Sequence, residues 1–290
     1  MAKVHDSVLE LAGGTPLLRL HHIENKAGVK AEIVAKLEFV NPSRSVKDRI
    51  AGGVIEEAEQ SGSLKPGAAV IAAADGNTGI ALALAAAAKG HPLTLVMPSS
   101  TRIEIRKLAG GYGAKTVIVP GGAEGAQAKA KALAKQSSDA FLLEQVGRQA
   151  DSETAGIEIW RDTDGRADFL VADESAWGTL VNAGSYLKGK NPEFKIVAAV
   201  SETCTQGQID SIDEAFTITE EEARRTTAVL AGSEGILTGI SSGAAVAAAL
   251  HIADRKENAG KRIIVILADT GERYLSTEVF GAVLTPPDPF

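Results

Sequence analysis

The sequence predicts an α/β protein with mainly parallel, twisted sheets flanked by helices. Short β-branched runs alternate with longer Ala-rich helical patterns, which is typical of parallel strands joined by right-handed crossovers. Some runs, such as residues 263–267, are continuously apolar, as expected for strands covered on both faces. The length of 290 residues is too great for one simple core, so two lobes or one large α/β unit are expected.

The individual elements follow from hydrophobic periodicity and from the Gly and Pro residues that separate them. Strands are predicted at residues 32–37, 69–73, 93–97, 115–119, 169–172, 195–200 and 262–267. Helices are predicted at residues 46–61, 78–89, 103–110, 123–135, 152–163, 180–188, 219–233 and 242–255.

Composition and charge exclude several classes of protein. The net charge is −7 and no long Lys/Arg run offsets it, so nucleic-acid binding is not expected. No apolar stretch is long enough to cross a membrane, and the N-terminus lacks the apolar region of a signal peptide. Cys204 is the only cysteine, and its neighbours supply no base, so it is interpreted as an inert thiol. A cytoplasmic protein is expected.

The corners where strands lead into helices are the candidate ligand sites. Ligands of open α/β sheets bind beyond the carboxyl ends of the strands, where helix N-termini present free N–H groups that favour anions. Three such corners stand out: Asp75-Gly-Asn-Thr-Gly79, Ser175-Ala-Trp-Gly-Thr179 and Gly239-Ile-Ser-Ser-Gly243.

Each candidate also has an ordinary structural interpretation. Lys47 opens a helix, with Ser43 or Ser45 as its predicted N-cap, and a lysine there is usually a solvated surface residue. A functional Lys47 would need a partly buried amine with a depressed pKa, which suits Schiff-base chemistry.

The other corners have ordinary interpretations as well. Residues 75–79 are equally compatible with a helix cap and a ligand site, and Ser241 or Ser242 is a simple N-cap candidate. Thr270 follows the most apolar strand, where it either points into a cleft or belongs to a polar turn.

Taken together, the motifs resemble one family. The chain is similar to the cysteine synthases (O-acetylserine sulfhydrylases), which are fold-type-II pyridoxal-phosphate (PLP) enzymes with a tryptophan synthase β-like fold. The resemblance covers nearly the whole chain and rests on these segments: Gly13-Gly-Thr-Pro-Leu17, Ser45-Val-Lys47-Asp-Arg49, Gly76-Asn-Thr-Gly79, Tyr112-Gly-Ala114, Glu158-Ile-Trp160, Gly239-Ile-Ser-Ser-Gly243 and Gly271-Glu-Arg-Tyr-Leu-Ser-Thr277.

The resemblance implies an architecture and a cofactor. It implies a smaller lobe of residues 39–144, a larger lobe of residues 1–38 and 145–290, a homodimer and bound PLP. Lys47 would carry the Schiff base and act as the base that removes the α-proton. Asn77 would bind the cofactor's 3-oxygen, and Thr270 would face the pyridine nitrogen.

The resemblance also implies substrate and phosphate contacts. Asp75, Gly76, Thr78 and Gln145 occupy the family's substrate-binding positions. Gly178 and Thr179 remain at the corner where the family binds the PLP phosphate.

The first departure from the family lies in the substrate loop. The family usually has Thr-Ser before Gly-Asn-Thr-Gly, whereas this chain has Ala74 and Asp75. Ala74 cannot donate a hydrogen bond, and Asp75 places a carboxylate where the substrate's carboxylate would bind. Two such charges about 4 Å apart repel by at most roughly 4 kcal/mol at an effective dielectric near 20.

Two further departures affect the phosphate corner and one wall of the pocket. Ser175 and Trp177 replace glycines of the family's phosphate loop, and Asp173 and Glu174 add negative charge beside it. Residues 201–216 contain nothing like the family's Gly-rich stretch, and the family's Asn-Pro-Ala-Asn pattern after Gln145 is absent.

These observations lead to competing functional hypotheses. The first is an active enzyme that makes cysteine by β-replacement on an O-activated serine, supported by Lys47 and Thr270. The second is a catalytically impaired homologue that binds a protein or small ligand, favoured by Asp75, Trp177 and the missing Gly-rich stretch. A nucleotide-binding protein without PLP is disfavoured, because residues 75–79 lack the spacing of known nucleotide loops.

Overall fold

The computed structural model describes residues 4–137, 139–144, 152–202, 204 and 212–280. They form two compact units, one within Met1–Ala12 and Asn41–Asp151 and the other within Gly13–Val40 and Ser152–Phe290. This grouping differs from the implied lobes at the N-terminus. The reason is the short 3₁₀ helix Val8–Leu11, whose Leu9 packs against the apolar core of the first unit.

The structure contains the predicted strands and helices and adds several short ones. The strands are β1 Leu17–Arg19, β2 Glu32–Leu37, β3 Val70–Ala73, β4 Leu93–Pro98, β5 Lys115–Val119, β6 Phe141–Leu143, β7 Phe169–Asp173, β8 Lys195–Val200, β9 Glu214–Thr217 and β10 Arg262–Leu267. The helices are α1 His21–Ala27, α2 Asp48–Gln60, α3 Gly76–Lys89, α4 Ile103–Gly111, α5 Gly122–Lys135, α6 Ser152–Asp162, α7 Trp177–Lys190, α8 Glu220–Val229 and α9 Ile240–Ala253.

The first unit is built on a four-stranded sheet in the order β5-β4-β3-β6, in which all pairs are parallel. Helices α2, α3 and α4 contribute to one apolar core with the inward faces of β3 and β4. Helix α5 contributes Ala126 and Ala130 to a smaller cluster with Ile71 and Val96. The sheet is therefore covered by helices that connect its parallel strands.

The second unit is built on a six-stranded sheet in the order β1-β2-β10-β7-β8-β9. Strands β1 and β2 pair antiparallel, and the other pairs are parallel. Strand β10 lies inside the sheet, and residues 263–267 are all buried, as their continuous apolar character predicts. The predicted α/β class with mainly parallel sheets and flanking helices is confirmed.

Close helix packing in the second unit requires glycine at one position. Helix α9 is rich in alanine and almost entirely buried, and it packs against α8. A Cβ atom added at Gly243 would lie 2.1 Å from Thr227 Oγ1 and 2.2 Å from the Ala223 carbonyl oxygen. No side chain fits there without moving the helices apart.

A buried ion pair fixes the start of the second unit. Lys36 on β2 is fully buried, and its Nζ donates to Glu158 Oε2 on α6 and to the Thr15 carbonyl oxygen, both at 2.6 Å. Glu158 Oε1 also accepts the Gly14 N–H at 2.8 Å. One charged pair therefore ties the segment from Gly13 to Thr15 to the sheet and to α6.

Among the described helices, none is long and apolar enough to cross a membrane.

Lys36→Met is expected to lower the free energy of unfolding by about 3–5 kcal/mol, because it removes the buried ammonium group that pairs with the buried Glu158 carboxylate. The double variant Lys36→Met/Glu158→Gln is expected to recover a large part of that loss, since the introduced glutamine is neutral and its amide oxygen can still accept the Gly14 N–H. Urea denaturation of the wild type and both variants measures this. A double variant no more stable than Lys36→Met would contradict the assignment.

Candidate functional site

Lys47 lies at the beginning of α2, in the first unit. It is the N-cap residue and is half-buried. The predicted Ser43 or Ser45 cap is wrong. Instead, Ser45 Oγ accepts the Lys47 N–H at 3.4 Å, and Ser43 donates its N–H and hydroxyl to the buried carboxylate of Asp48. Asp48 thus holds the preceding loop in place, a role that the sequence analysis missed.

The second corner of this unit leads from β3 into α3. Asp75 is the N-cap residue, and its Oδ1 accepts the Gly76 N–H at 2.6 Å. Gly76 has a φ of +55°, which favours glycine. Asn77 and Thr78 follow in the first turn and are half-buried, while Asp75 is exposed. Helix α3 therefore begins two residues before the predicted start, and Asp75 itself caps it.

The corner after β7, in the second unit, carries two carboxylates. Asp173 ends the strand, and its Oδ1 accepts the Ser175 N–H at 2.8 Å. Glu174 Oε2 accepts the Ser201 N–H, at the end of β8, at 3.4 Å. A 3₁₀ turn, Glu174–Ala176, then leads into α7, which starts at Trp177, three residues before its predicted start.

The first turn of α7 keeps some capacity for an anion. Its N-cap residue, Ala176, makes no side-chain capping hydrogen bond. Gly178 is exposed, and a Cβ atom added there would meet nothing within 4 Å. Thr179 is buried. An uncapped helix N-terminus with open space beside it is suited to bind a negatively charged group.

The corner after β10 is packed more tightly. Thr270 is buried and forms an isolated antiparallel bridge with Thr238, whose buried Oγ1 has no hydrogen-bond partner among the described residues. Next to Thr270, the buried Asp269 accepts the Tyr274 hydroxyl at 2.9 Å. A Cβ atom added at Gly239 would lie 2.1 Å from Asp269 Oδ1, so this position also requires glycine.

The predicted serine cap of α9 is wrong as well. Gly239 is its N-cap residue, and Ser242 Oγ accepts the Ala268 N–H at 3.1 Å. The Ser242 side chain therefore joins α9 to the end of β10. Asp269 and Tyr274 were missed by the sequence analysis, although a carboxylate directly after a fully apolar strand was a usable signal.

The structure collects the predicted residues at helix and strand ends. Lys47 and residues 75–78 lie at the beginnings of α2 and α3, which pack against each other. Residues 178–179 and Thr270 follow β7 and β10, which are parallel neighbours, so their corners share one edge of the sheet. Gln145 and residues 147–150 lie outside the described residues.

Comparison with known proteins agrees with this geometry. The sequence profile of the family "Pyridoxal-phosphate dependent enzyme" matches residues 8–209. The chain belongs to this family. Cysteine synthase A of Escherichia coli K12 is 38% identical over 322 aligned positions, covering 98% of each chain. The resemblance stated from the motifs is therefore confirmed.

Solved structures of family members share the fold. O-acetylserine sulfhydrylase isoform 3 of Entamoeba histolytica is 36% identical, with a TM-score of 0.87, covering 97% of this chain and 92% of its own. An O-ureido-L-serine synthase is 34% identical, with a TM-score of 0.88, covering 99% of this chain and 98% of its own. The predicted fold-type-II PLP architecture is thus confirmed.

This family member is shorter than its bacterial relatives. The alignment with the Escherichia coli enzyme spans 322 positions, more than the 290 residues of the whole chain. The relative therefore contains stretches without a counterpart here. The predicted loss of a Gly-rich stretch within residues 201–216 is compatible with this difference, and residues 203 and 205–211 lie outside the described part.

The electrostatics of the α7 corner are unusual. Burial, together with smaller contributions from the nearby carboxylates of Glu174 and Asp269, raises the pKa of Asp173 to about 6, against the lowering effect of the hydrogen bonds from Ser175. A carboxyl group at this corner is therefore partly protonated near neutral pH. Folding therefore disfavours the ionised form of this carboxyl group relative to its form in the unfolded chain.

Asp173→Asn is expected to raise the melting temperature by roughly 2–6 °C above about pH 6 and to leave it nearly unchanged below about pH 4. The folded pKa is raised, so the stability contributed by the protonated carboxyl is present at low pH and is lost as the pH rises through about 6. The introduced asparagine can still accept the Ser175 N–H through its amide oxygen. Calorimetry across this pH range measures the difference.

Asp164→Asn is the matched control, because Asp164 is exposed in the same unit. It is expected to change the melting temperature little at any pH. A shift for Asp173→Asn of equal size at both ends of the range would contradict the effect of burial.

Proposed function

We propose that the protein is a cysteine-synthase-type transferase that uses PLP to replace the β-substituent of an O-activated serine, giving cysteine. The observation that carries the proposal is a near full-length match to cysteine synthases combined with a half-buried Lys47 at the N-cap of α2. A lysine amine that is partly removed from water is suited to covalent chemistry with a carbonyl group.

The donor groups fit PLP. Lys47 would bind its aldehyde carbon covalently, Asn77 would bind the 3-oxygen, and Thr270 would face the ring nitrogen. The buried Thr238 hydroxyl beside Thr270 supports a polar ligand atom at that end, since it has no partner among the described residues. Gly178 and Thr179 would receive the phosphate at the uncapped N-terminus of α7.

The chemistry divides between the cofactor and the protein. PLP supplies an electron sink that makes a C–H bond beside an amino group acidic. Lys47 would take the proton from Cα of the substrate, and the oxygen leaving group would depart from Cβ with its bonding electrons. A sulfur nucleophile would then add at Cβ, and Lys47 would return the proton to Cα. Thr270, a neutral hydroxyl, does not require a protonated ring, which favours elimination and replacement over transamination.

The substrate would be held at the beginning of α3. Gly76, Thr78 and Gln145 occupy the positions that bind the amino acid in the resembling family. Asp75 already satisfies the Gly76 N–H with its own carboxylate. A substrate carboxylate would therefore compete with Asp75 for that N–H and would also meet its negative charge.

The comparisons favour an enzyme over the binding-only alternative, because the relatives described above are named as synthases or a sulfhydrylase. They also carry different substrate names, since one is an O-ureido-L-serine synthase and another an O-acetylserine sulfhydrylase. We infer that the chain acts on a small amino acid of this class. A homodimer and a cytoplasmic location complete the proposal, by resemblance to the family.

Lys47→Ala is expected to abolish the visible absorption band of covalently bound PLP and to lower kcat/KM for O-acetylserine and sulfide by at least about a hundredfold. The spectrum of the purified protein, with and without added PLP, measures the first effect. Lys65→Ala is the control for modification of surface lysines, since Lys65 is exposed in the same unit. A band that persists unchanged in Lys47→Ala would overturn the assignment of Lys47.

The double variant Ala74→Thr/Asp75→Ser is expected to lower KM for the amino-acid substrate by about tenfold, with a smaller effect on kcat. The change removes the competing carboxylate and adds two hydroxyl donors. The expected decrease in KM is smaller than the removal of a buried pair of like charges would give, because Asp75 is exposed and its charge is screened by water and salt. Steady-state kinetics measures it.

Asp75→Asn separates charge from hydroxyl donation, because it removes only the charge. It is expected to give part of the decrease in KM. An unchanged or higher KM in both variants would show that Asp75 does not oppose the substrate.

A further inference from the structure

The first turn of α7 is an uncapped helix start of the second unit with open space beside it. Helix α9 begins beside a crowded corner, where Gly239 already lies against Asp269 and Tyr274 and where Ser241 and Ser242 are buried. Helix α8 is capped by Thr219, whose side chain accepts the Glu222 N–H. By contrast, α7 makes no side-chain capping hydrogen bond, and space remains at Gly178. Of these three helix starts, α7 is the one that leaves room for a phosphate.

We propose that Asp173 and Glu174 act as built-in competitors of phosphate at α7, so that this chain binds PLP with an affinity set by the charge of Asp173. The proposal rests on the proposed function, because it places the PLP phosphate at this corner. It deepens that function by assigning a regulatory role to two residues that make no catalytic contact.

The geometry shows how the competition works. The Ser175 and Ser201 N–H groups, which lead into and lie next to the corner, donate to Asp173 and Glu174. Each carboxylate thereby satisfies a backbone donor and adds a negative charge close to a dianion. Trp177 also puts a large side chain in the first position of α7.

The charged surroundings of Asp173 are acidic. Its own turn contributes Glu174, and the end of β10 contributes Asp269. On the segment after β8, Ser201 is neutral and the next residue, Glu202, is acidic. Burial, and to a smaller extent Glu174 and Asp269, favour the protonated form of Asp173 and raise its pKa to about 6. PLP binding is therefore expected to strengthen as Asp173 takes up a proton.

The test measures PLP and pyridoxal side by side. Pyridoxal has the same ring and aldehyde but no phosphate, so the ratio of the two affinities isolates the phosphate. Titration calorimetry is carried out on Lys47→Ala and on Lys47→Ala/Asp173→Asn. Both variants lack the lysine, so a covalent bond to PLP does not contribute to the measured affinity. Asp164→Asn in the Lys47→Ala background is the matched control.

Asp173→Asn is expected to increase the affinity for PLP by about tenfold or more near pH 7.5 and that for pyridoxal by less than about twofold. The gain is expected to shrink towards about pH 5, where wild-type Asp173 is protonated. Adding Glu174→Gln is expected to increase the PLP affinity further. The Asp164→Asn control is expected to change neither affinity.

Equal gains for PLP and pyridoxal would overturn the proposal, and so would a loss or no change of PLP affinity. Undetectable PLP binding in every variant also overturns it, because removing the competitor should expose the site. Melting curves of each variant confirm that it is folded. Failure of the proposed function would be seen in a different measurement. Lys47 would then not bind PLP covalently, even when the ratio of PLP affinity to pyridoxal affinity is as expected.

Discussion

The candidate site depends on one physical constraint, which is that the first N–H groups of a helix need an acceptor. At a corner between a parallel strand and a helix, a ligand anion or a side chain of the chain itself can meet that need. In this protein, side-chain carboxylates of the chain itself lie near several of these corners. Asp48 holds the loop before α2, Asp75 caps α3, and Asp173 closes the turn before α7.

An internal carboxylate has two effects that act in opposite directions. It stabilises the corner by accepting a hydrogen bond from a backbone N–H group. It also weakens the binding of any anionic ligand, by competition for that group and by charge repulsion. The balance depends on burial. Exposed Asp75 is screened by water, whereas Asp173 is half-buried, and its pKa is raised to about 6 mainly by desolvation and less by Glu174 and Asp269. The same residue type therefore has different consequences at the two corners.

Much of the fold could be predicted from the sequence, because long apolar strands such as β10 and Ala-rich helices such as α9 have clear periodicity. The three-residue strands β1 and β6 could not, since so short a run has no usable pattern. The helix caps were predicted from local propensity, and two were wrong. Ser43 bonds to Asp48, and Ser242 bonds across to Ala268, contacts that depend on the folded structure.

The positions that pack the fold and the positions that face a ligand tolerate change differently. Gly239 and Gly243 lie against neighbouring atoms at distances that exclude any side chain, so replacing them would disrupt the second unit. A Cβ atom added at Gly178 would meet nothing within 4 Å, so a side chain there is expected to cost the fold little. A chain of this architecture can therefore alter its anion corners, and with them its preference for cofactor and substrate, while the sheets and helices that position Lys47 and Thr270 stay the same.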